Sequence, residues 1–259
     1  MPLRTAALNW ESTFNFTINN SKVIQLAEGQ QRFDTGTGEF IGIIAHEVGQ
    51  PLASLRGFDY RRDAQGRILV SAGRFLQGNL TTFGSAVPTH TGGWLNTLTF
   101  KGLRLFTQVD FKAGHKLISN SNFNWYRHGL HQASLVGREG GVVMDAVNAD
   151  GTANTVAVPA QDFYTLYRGT SVTTPFVYNA SFVRWRTLSL GYDFSRLTGT
   201  TFIKGLSVNA FVNNVLMIKK YVDNLDPETQ YSASDNLNGL ESHALPTTRS
   251  YGLNVNIKL

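Results

Sequence analysis

The sequence contains no cysteine, only 7 prolines in 259 residues, and few ionic side chains: Asp, Glu, Lys and Arg together make up 16%. Without cysteine there is no disulfide framework and no thiolate metal site. Soluble domains carry about 25% charged residues, so something other than ionic groups covers much of this surface. Also missing is any run of about 18 apolar residues, which excludes a transmembrane helix. A membrane β-barrel stays open, because alternating strands keep mean hydropathy near neutral, as the value of −0.15 does. Disorder is excluded too: 12% of residues are aromatic and 42% apolar, in a chain long enough for a substantial core.

The formal charge is +5, and the sequence pI is about 9.5. Yet Lys and Arg are scattered and form no phosphate-tracking patch, so no nucleic-acid partner is expected. Met1 to Trp10 shows no basic stretch followed by an apolar run and a small-residue cleavage site, so no secretory signal is read there.

What is present is alternation of period two, the mark of strands with one apolar and one polar face. Between Ala7 and Asn20, residues Leu8, Trp10, Phe14, Phe16 and Ile18 oppose Asn9, Glu11, Thr13, Asn15, Thr17 and Asn19. The pattern returns at 103–112, with Phe106 as its one mismatch, at 187–194, at 206–213 and at 250–259. A sixth segment, Thr91–Phe100, is β-rich but less regular and meets the next strand through the two-residue turn Lys101-Gly102. These segments run about 10 to 15 residues, longer than ordinary globular strands and sufficient to cross a bilayer at a tilt. Aromatic residues near their ends (Trp10, Tyr192, Phe194, Tyr251) suit the girdles of a barrel wall, and the polar faces are rich in Asn, Ser and Thr. No convincing amphipathic helix is read.

The connections alternate long and short: 21–90, then Lys101-Gly102, then 116–180, 195–204 and 214–247. Compact soluble domains rarely contain several such excursions, whereas outer-membrane barrels do so routinely, with tight periplasmic turns and extended extracellular loops. Tyr60–Leu69 and Val147–Val156 each set an Asp/Gly-type turn between β-prone runs, so the long loops are expected to be structured lids or docking surfaces. Six strands cannot close a membrane barrel, and an open sheet in hydrocarbon leaves its edges unsatisfied. The chain is therefore expected to be a piece of a larger barrel.

Several stretches carry a family resemblance: NWESTFNFTINNSKVIQLAEG near the start, VGQPLASLRGFDYRRDAQG at 48–66, GGWLNTLTFKGLRLFTQVDFKAGHKLISNSN at 92–122, YNASFVRWRTLSLGYDFS at 178–195, then LSVNAFVNNVLMIKKYVDNLDPETQYS and LPTTRSYGLNVNIKL. In this order, and above all in the combination of FKG, VRWRTLSLGY, NLDPE and PTTRSYGLN, the chain resembles the C-terminal part of a SusC/RagA-type TonB-linked outer-membrane transporter of Bacteroidota. The resemblance implies an all-β, antiparallel transmembrane β-barrel segment of about six spanning strands with long extracellular loops, drawn from a barrel of about 22 strands. It places residues 1–259 in the C-terminal portion, with plug and N-terminal strands elsewhere. It further implies a SusD-like lipoprotein lid, TonB acting through the N-terminal region, and import of oligosaccharides or peptides in the outer membrane. Family members usually end in an aromatic residue, whereas this chain ends in Leu259.

No enzyme chemistry is expected. AHEVGQP at 45–51 begins like the zinc-peptidase H-E-x-x-H helix but has Gln50 and Pro51 where the second histidine should follow. Asp34-Thr35-Gly36 lacks a second copy to form an aspartic-protease dyad, and Gly36-Thr37-Gly38 lacks a third glycine for a dinucleotide site. His128 and His131 are the one close histidine pair, and Asp223, Asp226, Glu228 and Asp235 could gather around calcium, although solvated carboxylates are the default and no cofactor is assigned. Loop aromatics Tyr60, Trp125, Tyr126, Tyr164, Tyr167 and Tyr231, with Asp226, are the candidate contacts for substrate or lid, most of the rings otherwise serving packing between loops. Two alternatives compete with the importer: a soluble β-sandwich that binds carbohydrate, and a hydrolase with loop-borne carboxylates. The importer requires that Phe14, Leu190, Val208 and Val255 not converge on a dry interior between two sheets.

Overall fold

A computed structural model of the chain describes residues 3–5, 7–35, 41–195, 202–229 and 238–258. Six long strands dominate it: β1 (Leu8–Ile18), β2 (His90–Phe100), β3 (Leu103–Ala113), β4 (Phe182–Asp193), β5 (Gly205–Lys220) and β6 (Ser250–Lys258). They hydrogen-bond antiparallel in sequence order, with the short strand Leu3–Arg4 on the outer edge of β1. β2 and β3 meet at Lys101 and Gly102, whose φ angles of +46° and +92° form the hairpin turn that matches strand twist.

Register turns the period-two pattern into faces. Trp10, Leu98, Leu105, Leu190, Ala210 and Leu253 align across all six strands, and the next row over is Asn9, Thr99, Arg104, Gly191, Asn209 and Asn254. One face is therefore apolar and the other polar along the full width. No second layer covers the apolar face among the described residues: Phe14 is 64% exposed, Leu190 51% and Leu253 65%. A sandwich would bury these side chains. This geometry disfavours the soluble alternative.

The apolar face contains one polar row, Ser12, Asn96 and Thr107, continued by Leu188, Val212 and Tyr251. Each of the three polar groups accepts from a tryptophan on the same face. Trp94 Nε1 donates to Ser12 Oγ at 2.8 Å, Trp10 Nε1 to Asn96 Oδ1 at 3.1 Å and Trp185 Nε1 to Thr107 Oγ1 at 2.7 Å. Tyr251, second in its strand, thus lies level with the middle of β3 and not at the end of the apolar band. Gly92 has a similar packing role: a Cβ there would meet the Phe111 ring at 2.6 Å, and its absence lets Phe111 stack on Phe16.

The loops build a second, separate core. Segments Arg32–Thr35, Ile43–Glu47, Ser54–Tyr60 and Gln77–Ser85 form a four-stranded antiparallel sheet, and Val177–Asn179, Lys116–Ser119 and Leu240–Glu241 a three-stranded one. Between them pack Ile44, Leu55, Phe75, Ile118, Val172, Phe176 and Leu240, all nearly inaccessible. The two expected turns are present, with bridges Arg62–Ile68 and Val147–Ala153, and Asp63 Oδ1 accepts from the Gln65 and Arg67 amides.

Two expectations need correction. Helices do occur: α1 (Asn120–Arg127), capped by Ser119 Oγ accepting from the Asn122 amide, and α2 (Ala160–Thr170), which buries Phe163, Tyr164 and Tyr167. At 8 and 11 residues they are too short for a repeated helical period to register in sequence. And β5 does not stop at 213 but continues to Lys220, past a bulge at Asn214, where φ is +52°.

Candidate functional site

The alternation of β4 breaks between Arg186 and Thr187 because a residue is inserted there. Pairing with β3 passes from Gln108–Thr187 to Val109–Trp185, leaving Arg186 as the extra member of a β-bulge, and pairing with β5 slips at the same level. Trp185 stays on the apolar side, bonded to Thr107, while Arg184 and Arg186 both reach polar-face partners. Two guanidinium groups are thereby aimed at one spot on the polar face.

The NLDPE segment, 224–228, sits on that spot. Arg184 Nη2 donates to Asp226 Oδ1 at 2.6 Å, and its Nη1 stands 3.1 Å from Glu228 Oε2. Arg186 Nη2 donates to Glu228 Oε1 at 3.0 Å and to Asp110 Oδ2 of β3 at 2.6 Å. Lys112 Nζ lies 3.8 Å from Glu228 Oε1. Three cations (Arg184, Arg186, Lys112) thus face three anions (Asp110, Asp226, Glu228), and the cluster is neutral. Thr247, from the PTTRSYGLN segment, joins by accepting from Arg184 and donating to Asp226 Oδ2. Asn214 at the bulge completes it: Oδ1 accepts from Arg186 and Nδ2 donates to the Thr248 carbonyl.

The Arg184 side chain is 3% exposed and that of Asp226 9%. Burial acts to raise the Asp226 pKa, but hydrogen bonds from Arg184, Thr247 and the Glu228 amide outweigh it and hold the carboxyl below its ordinary value. A second fastening lies further along the same loop, where buried Glu241 accepts from Ser119 Oγ and Ser121 Oγ, each at 2.5 Å. The arrangement positions a loop on a wall. Its ionic groups are already paired with one another, which suits holding rather than chemical turnover.

The aromatic candidates separate. Tyr60, Tyr164 and Tyr167 are buried, at 9%, 6% and 4% exposure. Tyr60 and Tyr167 share a hydroxyl hydrogen bond of 2.8 Å, burial pushes the Tyr60 hydroxyl up to about 12, and Tyr164 donates to the Ala133 carbonyl. Tyr126 packs edge-on against Tyr164, Tyr167 and Phe176. These four rings build the loop core, the packing role that sequence left open for them. Trp125 instead borders an open cleft of about 510 Å³ with Tyr178 and Tyr221. Tyr231 and Asp235 lie outside the described residues.

Other motifs resolve into structure. His46 is on a strand, stacked on Phe33, with Nδ1 accepting from the Ala53 amide, and Glu47 pairs with Arg56 at 3.1 Å. Asp34 pairs with Arg32 at 2.9 Å, and Gly36 lies outside the described residues. His131 caps a short 3₁₀ turn by accepting from the Ala133 amide. Asp226 and Glu228 face arginines, and the Asp223 carbonyl accepts from Lys220. Among the described residues no group of three or more His, Asp or Glu stands close enough to hold a metal. Arg184, Arg186, Asp110 and Thr247 were not singled out from sequence. The signal was the paired arginines in VRWRT, at the point where the alternation fails.

A strand meander with one open apolar face, one polar face and a loop body clamped to it defines the chain as an all-β, antiparallel protein. No protein-family model matches the chain. It is 25% identical over 288 residues to "TonB-dependent receptor P3" of Formosa agariphila, covering 96% of this chain and 26% of that protein. It is 24% identical over 269 residues to "TonB-dependent receptor SusC" of Bacteroides thetaiotaomicron, covering 99% and 25%. Among solved structures, the RagAB peptide transporter superposes with a TM-score of 0.61 at 19% identity, covering 98% of this chain and 28% of that one. The RagAB peptide importer in its open-open state gives 0.62 at 21%, covering 99% and 27%. The chain spans about a quarter of the length of these relatives. Over nearly its whole length the chain is thus similar in sequence to TonB-dependent receptors, SusC among them, and it shares the fold of the matching part of the RagAB structures.

Proposed function

We propose that this chain is the C-terminal wall of a TonB-dependent importer that admits oligosaccharides or peptides with a SusD-like lipoprotein as its lid. The six long strands are its membrane-crossing strands within a larger closed barrel, the apolar face meets lipid, and the polar face lines the lumen. The plug and the TonB contact belong to the N-terminal region of the whole protein. The observation that carries the reading is the joint geometry of one sheet: an uncovered apolar face, and a polar face whose Arg184–Arg186 pair clamps the NLDPE loop at the rim. Loop and wall move together through that clamp, so a lid docked on the loop body is mechanically linked to the channel below. Trp125 and Asp226 are the retained candidates for contact with cargo or lid, the first as a ring at an open cleft and the second as the loop's anchor. The test is growth of a strain deleted for the full-length gene on oligosaccharides or peptides as sole carbon source. Loss of growth on one class, restored by the intact gene and not by one lacking its TonB-binding region, is the expected result. Unchanged uptake of both classes would refute the proposal.

A further inference from the structure

We propose that the cleft between residues 127–141 and the start of α2 binds a ligand through its carboxylate groups. At about 850 Å³ it is the size of a small-ligand site, roughly 300–1,000 Å³, and a concave pocket of this kind suits part of a cargo molecule rather than a broad protein interface. Arg127, Arg138 and Tyr164 line it, and Gly140 faces open space on one wall.

The charge at this cleft comes from arginines that, like Arg61, Arg104 and Arg249 elsewhere, have no carboxylate partner among the described residues. Arg62, Arg67, Arg184 and Arg186 each meet a carboxylate within 3.0 Å. Arg127, Arg138 and Arg168 make no ion pair among the described residues, although Glu139 borders the same cleft. Arg127 lies over the Phe123 ring at 5.0 Å, and its Nε is buried with no hydrogen-bond partner. Burial, and to a lesser degree the nearby charge of Arg168, lower its pKa. Arg138 is braced, Nε donating to the Ser134 carbonyl at 3.0 Å and Nη2 to the Gly129 carbonyl at 2.6 Å, so its guanidinium is fixed with Nη1 to spare. The free Nη1 of Arg138 and the guanidinium of Arg127 give the cleft charged N–H donors of the kind a carboxylate accepts from. Acidic peptides and uronate-bearing sugars both supply that group. The inference rests on the import reading only for the ligand's origin.

Calorimetric titration of the full-length receptor in detergent tests it, with triglutamate and trigalacturonate as probes and triglutamine and maltotriose as neutral counterparts. At least one acidic probe should bind about tenfold or more tightly than its neutral counterpart, with the gap narrowing at high salt. Arg127→Gln should weaken acidic binding about tenfold, while Arg32→Gln, on an exposed pair with Asp34 in the four-stranded sheet, should leave it unchanged. If Arg138→Gln disrupts the loop, shown by a lowered melting temperature, the double variant Arg127→Gln/Arg168→Gln decides, since neither side chain braces the backbone. Response of one acidic probe alone supports the site and names the source. Equal binding of acidic and neutral probes, or wild-type affinity in the double variant, overturns it. Binding that persists in a receptor shown not to import would refute the transport reading and leave the site standing.

Discussion

The sharpest test of the wall geometry is a depth-resolved arginine scan of neighbouring residues. Eleven residues of β3 at roughly 3.4 Å each make ~37 Å, which at a tilt of about 40° spans ~28 Å, close to the ~25 Å apolar band of outer-membrane barrels. Thr107, one residue from the midpoint of β3, lies within about 3 Å of the middle of that span, and its row partner Leu188 on the next strand, displaced a further ~3 Å in depth by the tilt, stays within about 6 Å of it. Val208 and Val255 align instead with Leu103, beside the Lys101-Gly102 turn, so they sit at the edge of the band. Leu188→Arg should therefore cost about 2–4 kcal/mol, and Val255→Arg only about 0–1 kcal/mol. Ser189→Arg, one residue from Leu188 but on the polar face, should be close to neutral. The assay is guanidinium unfolding of the full-length receptor refolded into vesicles, read by tryptophan fluorescence. If Leu188→Arg costs no more than Ser189→Arg, lipid does not contact the apolar face. If Val255→Arg costs as much as Leu188→Arg, the turn is not at the membrane edge.

Other consequences concern the clamp and the loop body. Asp226→Ala removes the shorter of Arg184's two ion pairs and an acceptor of Thr247, leaving Glu228 as its remaining carboxylate, so the cost should fall below the roughly 3–5 kcal/mol of a buried charge left fully unpaired; limited proteolysis of whole cells should then cut the 221–247 loop faster, and an unchanged cleavage rate would refute the clamp. Because the Asp226 pKa is depressed on folding, its contribution is full above the ordinary carboxylate value of 3.8 and is lost as pH falls through the lower folded value; loop cleavage by an acid-tolerant protease should rise only in that acidic range. His115 acts in the same sense over a higher range, since burial and then Lys112 lower its pKa from 6.5 to about 4 and favour the neutral ring in the fold. Stability of the loop body should fall as pH drops from 6.5 to about 4, and His115→Gln should flatten that dependence in a thermal melt. Gly57→Ala would drive a methyl to within 2.1 Å of Thr173 Oγ1, which donates to the Ile41 carbonyl, so a loss of about 1–3 kcal/mol is expected by differential scanning calorimetry.

The strands and their faces were legible because lipid and water impose a two-residue period that any row of the sheet repeats. Leu8, Trp10, Phe14 and Phe16 declare the apolar face of β1 unaided, and Lys101-Gly102 declares its turn. The clamp was not legible, because it depends on a bulge that shifts Arg186 relative to Thr187 and on partners up to 76 residues away. Nor was the loop core: Tyr60 meets Tyr167 across 107 residues, and both read in sequence as ordinary loop tyrosines. Long-range packing of irregular segments leaves no local period to detect. The family motifs marked where the clamp residues lie without revealing what they touch.

The three tryptophan bonds on the apolar face carry a consequence for how the wall is assembled. Two join β1 to β2 and the third joins β3 to β4, and each matches one indole to one acceptor at a fixed rung. A strand that slid by two residues would keep its greasy side outward, so hydrophobicity alone would accept the mistake. The indole would then have no acceptor in oil, at a cost of several kcal/mol. These pairs act as a vernier on the ladder, rejecting an alignment that would otherwise pass.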